Sequence, residues 1–120
     1  MNRPKLWSAS GSRSDELYVA EVDLSIEDEH SHGTTQAPAW QELEYSAVVH
    51  ATLEALEKRI EGVELQDGYL LRMGRGLVAV VVLNWQDDTY TGSAFVKRHV
   101  EDSIARATLD ALNRIITRNG

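Results

Sequence analysis

The chain has 120 residues, 42% of them hydrophobic and 26% charged, enough for one ordinary core and too few for two domains of usual size. Twelve Lys and Arg against 19 Asp and Glu leave a net charge of −7, which repels nucleic-acid phosphates and anionic membrane surfaces alike. Cysteine is absent, so disulfides, thiol catalysis and thiolate metal sites are excluded.

The first segments read as strands. "KLWSAS" (5–10) opens the chain's first β-rich run, followed by "ELYVAEVDLSI" (16–26) and "HGTTQA" (32–37). In the second of these, Tyr18, Ala20, Val22, Leu24 and Ile26 alternate with Val19, Glu21, Asp23 and Ser25, the pattern of a sheet with one wet face. A helix is expected from about Trp40 to Glu61, closed by Gly62, with Val49, Leu53, Leu56 and Ile60 at helical spacing. Three more strands follow as "VELQDGYLLRM" (63–73), "LVAVVVLNW" (77–85) and "TYTGSAFV" (89–96). The last element is a helix from about Val100 to Thr117, opened by Glu101 and Asp102, closed by Arg118 and Gly120, and striped with Ala105, Leu109, Leu112 and Ile116.

The two halves repeat one another. "ATLEALEKRI" (51–60) returns as "ATLDALNRII" (107–116), and a shift of 59 residues lays "YVAEVDLSIEDEHSHGTTQA" (18–37) on "LVAVVVLNWQDDTYTGSAFV" (77–96). That shift matches Val19 with Val78, Ala20 with Ala79, Val22 with Val81, Leu24 with Leu83, Asp28 with Asp87 and Gly33 with Gly92. The fold class expected is α+β: one domain of two tandem βββα units, about 4–62 and 63–120, related by internal pseudo-twofold symmetry, with antiparallel sheets packed on two helices. Both helices carry Ala and Thr beside their apolar stripes, small enough to let another element approach closely.

Tandem βββα units, with a Gly near the last strand and an Ala-rich helix, resemble the C-terminal regulatory and dimerisation domain of 2-isopropylmalate synthase and citramalate synthase. That family shows a strand of the type y-x-G-x-G and a helix of the type A-x-A-x-x-x-A-[IL]-N. Here "YTGSA" supplies Tyr90, Gly92 and Ala94, and "ARATLDALNR" supplies Ala105, Ala107, Ala111, Leu112 and Asn113. The family's second Gly is Ala94 in this chain, and the synthase barrel has no counterpart. The resemblance implies a free-standing relative of the domain that self-associates and binds a small acid or amino acid. Residues 43–117 also follow the element order of a double-stranded RNA-binding domain, with Lys97 and Arg98 before the last helix. The first turn of that helix holds Glu101 and Asp102 where such a domain needs cations for phosphate, so RNA binding is not expected.

Candidate chemistry is sparse. His30 and His32, two apart in "EDEHSHG" with Asp28 in line, have the residue types of a metal site, yet Thr89 and Thr91 stand at the matching places, so a solvated acidic hairpin without metal is expected. His50, mid-helix, and His99, near a helix start, read as surface or partly buried residues rather than catalysts. "RMGRG" (72–76), with Arg72 and Arg75, reads as a hairpin turn rather than an anion cradle. Trp85 is assigned to the core and Trp40 to an anchoring or lid-like place, with Trp7 unassigned. No nucleophile elbow or phosphate loop is present, so neither catalysis nor a cofactor is expected.

The interface expected is Val78, Val80 and Val82, which replace the wet-face pattern of the first copy with an apolar one. A second copy of the chain would cover them in a homodimer; otherwise residues 1–16 or 34–42 would. The function expected is a non-catalytic homodimeric module that binds a small molecule or regulates. The alternative is a scaffold or accessory subunit without a ligand; an enzyme of another type is held open only by the His30 and His32 pair. The longest uncharged apolar run, Leu77 to Leu83, is far below a membrane span, and "MNRPKLWSAS" lacks a signal-peptide core, so a cytoplasmic location is expected.

Overall fold

In the computed structural model, which describes residues 3–57 and 59–119 with all side chains except those of Gln41 and Asn119, the period-two segments pair as hairpins. β1 (Lys5–Ser14), β2 (Leu17–Ile26) and β3 (Glu29–Pro38) form one antiparallel sheet in chain order. β4 (Glu64–Met73), β5 (Gly76–Trp85) and β6 (Asp88–Phe95) form a second. α1 (Gln41–Ala55) follows the first sheet and α2 (Val100–Asn119) the second, so the class is α+β. Among the described residues, no helix is long and apolar enough to cross a membrane.

Local chemistry is parallel in the two halves. Glu27 and Asp28 take φ of 51° and 69°, and Gln86 and Asp87 take 49° and 67°, so both second hairpins turn through two left-handed residues. That backbone matches the right-handed twist of the paired strands. The register shifts between Leu6 and Ser8 in the first sheet and between Leu65 and Asp67 in the second, placing a bulge near the start of each leading strand. Gly74, at φ 61°, makes the β4–β5 turn, so "RMGRG" is the expected hairpin.

The inner faces carry the core. Ala20, Val22, Leu24 and Ile26 of β2, with Ala79, Val81 and Leu83 of β5, join one cluster with residues of both helices. The helices sit on the sheets at backbone distance. A Cβ built on Gly33 would lie 1.9 Å from the Ala51 carbonyl oxygen, and one on Gly92 would lie 2.1 Å from that of Ala107. Only glycine on the strand and alanine on the helix permit this. Thr52 and Thr108, both fully buried, donate their hydroxyls to the carbonyls of Val48 and Ile104 at 2.8 Å, so no buried donor is left unpaired there.

The halves also interlock. α1 and α2 touch each other, α2 reaches β1, and α1 reaches β4. Tyr45 of α1 lies over Gly68 and points its hydroxyl at the carbonyls of Val80 (2.8 Å) and Tyr69 (3.0 Å) in the second sheet. Tyr18 of β2 lies over Gly11 and reaches Glu101 of α2 at 3.4 Å.

Three sequence expectations are corrected. α1 ends at Ala55 rather than near Glu61, because the amides of Leu56 and Glu57 bond back only three residues, to Leu53 and Glu54, and tighten the last turn. Gly62 is therefore not the helix cap; it takes φ 77° in the connection to β4. On α2 the expected Ala105, Leu109 and Leu112 are buried, but the stripe ends on Ile115, while Ile116 is only half-buried, because α2 packs on a sheet and on α1 at once. Gly120, expected at the end of α2, lies outside the described residues.

Gly92→Ala should cost about 3 kcal/mol or more of stability in urea unfolding, since the added methyl meets backbone that cannot swing away. Gly76→Ala, with open space around its Cβ position, should change stability by less than about 1 kcal/mol.

Candidate functional site

Each sheet turns one face to its helix, and the opposite faces are where the two halves differ. On β2 the outward residues are Val19, Glu21, Asp23 and Ser25, flanked in register by Ser12, Ser10, Ser8 and Lys5 of β1 and by Gln36, Thr34, His32 and His30 of β3. This face is polar except at Val19 and at Trp7, which the β1 bulge adds beside His30.

Its centre is a carboxylate with three hydrogen-bond partners. Asp23 Oδ1 lies 2.8 Å from His32 Nδ1 and 3.1 Å from His30 Nε2, and Ser8 donates to Oδ2 at 3.2 Å. A carboxylate only accepts, so both imidazoles carry hydrogen on those two nitrogens. Trp7, at the β1 bulge and 71% exposed, stacks edge-on against His30 with ring centroids 5.4 Å apart. The acid is Asp23 and not Asp28, which sits in the left-handed turn instead of on the strand. Cross-strand pairing, invisible to a reading along the chain, brings it there. Among the described residues, no group of three or more His, Cys, Asp or Glu side chains is arranged to hold a metal ion.

The second sheet's outer face is apolar. Val78 lies between Leu71 and Phe95, and Val80 between Tyr69 and Ser93. Val78 and Val80 are already 6% and 9% exposed, yet they belong to no part of the inner core: their larger neighbours shield them. What faces outward is the rim of Tyr69, Leu71, Met73 and Phe95, between 43% and 63% exposed. Val82, partly buried, marks the far edge of the patch, beside Asp67 and Thr91. Residues 5–14 and 29–38 are committed to the first sheet, so neither the N-terminal strand nor β3 covers the valines.

The other candidates are dispersed. Trp40 is 71% exposed at the N-cap of α1 and anchors nothing, whereas Trp85 is partly buried against the core and donates Nε1–H to the Glu61 carbonyl at 2.9 Å. His50 is exposed on α1 and His99 in the loop before α2. Sequence reasoning missed Ser8, Asp23 and the rim of Tyr69, Leu71, Met73 and Phe95; alternation within β4 held the signal for three of those four, once its pairing to β5 was known.

No family model matches the chain, and no curated protein matches it.

Burial pushes the Asp23 carboxyl up, but the hydrogen bonds from His32, His30 and Ser8 outweigh it and hold the group below its ordinary value of 3.8. A depressed carboxylate contributes stability that is present above the unfolded value and lost as pH falls through the folded one. NMR titration of Asp23 should give a midpoint below 3.8, and Asp23→Asn should flatten the fall of the urea midpoint in that acid window.

Proposed function

We propose that the protein is an internally duplicated, non-catalytic module that forms a homodimer through the outer face of its second sheet and binds a small molecule. The observation that carries this reading is the contrast between the outer faces: polar around Asp23 on one sheet, and apolar across Tyr69, Leu71, Met73, Val78, Val80 and Phe95 on the other. A chain with one apolar sheet face buries all of it by pairing with its own copy about a twofold axis, sheet on sheet, and the assembly closes there. An apolar face on each sheet would instead favour open stacks.

The magnitudes suit a modest dimer. Covering the four rim side chains removes roughly 300 Å² of apolar surface per copy, about 15 kcal/mol gross for the pair. Less an association cost of about 7 kcal/mol, within the usual range, the net is a micromolar affinity. The duplication is supported by the repeated turn, bulge, glycine and threonine contacts at constant offsets in the two halves, which an approximate twofold axis would relate. The small acid or amino acid ligand and the regulatory role rest on the resemblance to the synthase regulatory domain. Location in the cytoplasm is part of the same proposal.

Light scattering tests the dimer. The wild type should elute at twice the monomer mass of 13.4 kDa, and Leu71→Glu combined with Met73→Glu should give a folded monomer, because both side chains are exposed in the single chain. A wild-type monomer, or a dimer unchanged by these substitutions, would contradict the proposed face. Retention of a different protein on immobilised wild type but not on the double variant would favour the accessory-subunit reading.

A further inference from the structure

The loop from β6 into α2 frames a cleft of about 600 Å³, within the range of small-molecule sites. Ala94 and Phe95 supply an apolar wall, and Lys97, Arg98 and Arg106 supply positive charge. The frame is fixed by hydrogen bonds. Ser103, which is buried, donates its hydroxyl toward the carbonyls of Phe95 and His99, each at 3.3 Å, and the Val96 amide bonds the Leu77 carbonyl at 2.9 Å.

The charge of this cleft runs against the rest of the chain. Acids outnumber bases 19 to 12; among the other described cations Arg13, Arg59, Arg114 and Arg118 each have an acidic partner, and Arg3, Lys5, Arg72 and Arg75 have none but do not line this cleft. Among the described residues, Lys97, Arg98 and Arg106 have neither an ion pair nor a side-chain hydrogen bond, although Asp102 lines the same cleft. Three cations left unneutralised around one concavity, in a protein with surplus acid, raise the local concentration of anions there. The cleft does not resemble a bare phosphate site, because one wall is Ala94 and Phe95.

The geometry points to a binding site for a small carboxylate with a hydrocarbon tail, its head on Lys97, Arg98 and Arg106 and its tail against Ala94 and Phe95. The site deepens, and rests on, the reading of the protein as a small-molecule-binding module. Phe95 also flanks Val78 on the outer face of the second sheet, so the cleft opens beside the proposed dimer contact.

The test is an amide-resolved NMR titration of the full chain with three probes: hexanoate, hexan-1-ol with the same tail and no charge, and inorganic phosphate with charge and no tail. Hexanoate should give saturable shifts confined to about residues 94–106, with hexan-1-ol and phosphate at least tenfold weaker. Arg98→Gln combined with Arg106→Gln, both on exposed side chains, should weaken hexanoate at least tenfold while leaving the other amide positions unchanged. Saturable hexanoate shifts elsewhere would overturn this site and leave a binding module standing. Phosphate binding as tightly as hexanoate would overturn the carboxylate and tail assignment. No saturable hexanoate response would overturn the site, and the mass of the Leu71→Glu, Met73→Glu variant decides the dimer separately.

Discussion

The close approach of helix backbone to strand backbone at Gly33 and Gly92 governs the rest of the molecule. With a Cβ position only 1.9 Å or 2.1 Å from a helix carbonyl, the strand residue has no freedom to be anything but glycine. The helix residues opposite, Ala51, Ala55, Ala107 and Ala111, are small for the same reason. The duplicated words "ATLEAL" and "ATLDAL" are the sequence form of that constraint. Alanine makes the contact, threonine ties its hydroxyl back to its own helix, and Leu56 or Leu112, fully buried, fills the space beyond. Helices drawn in this far can touch one another as well as their sheets, and a single core joins both halves.

Residues that make this contact are held to one solution, and the outward faces are not. The strand β5 keeps Ala79, Val81 and Leu83 where β2 has Ala20, Val22 and Leu24, all fully buried. On the other side β2 carries Glu21 and Asp23 and β5 carries Val80 and Val82. The inner faces are fixed by packing density, where one methylene is felt. The outer faces are fixed only by what they meet, so that is where function is sought: a hydrogen-bonded imidazole–carboxylate cluster on one sheet, an apolar rim on the other, and an unneutralised cationic cleft at the end of β6.

What was legible in the sequence follows the same division. Strands β2 and β5 and their hairpins were readable because alternation and the aligned Asp28 and Asp87 report local geometry directly. The end of α1 was not, because Glu57 to Ile60 keep a helical composition and the turn is broken where the Leu56 and Glu57 amides bond back to Leu53 and Glu54, with Arg59 paired to Glu27 and Glu29. The spacing of one apolar stripe points to Ile116 rather than Ile115 because it assumes one neighbour, and α2 has two. Alternation puts Asp23 on a wet face and shows no partner for it, since its histidines lie seven and nine residues ahead and meet it only across the β2–β3 ladder. Val78 and Val80 lie on the outer side of β5 but are already buried in the single chain. Their shielding by Leu71, Phe95 and Tyr69 depends on register with two other strands.

If the glycine contacts tie both units into one core, the two halves should open together. Native-state hydrogen exchange measures this directly, through the amides of Thr52 and Ala55 in α1 and of Thr108 and Ala111 in α2. The account predicts that all four exchange only through global unfolding, with opening free energies equal within about 0.5 kcal/mol and equal to the value from urea unfolding. Exchange of the α1 pair at an opening free energy lower than that of the α2 pair by about 2 kcal/mol or more would show two independently opening units and contradict it.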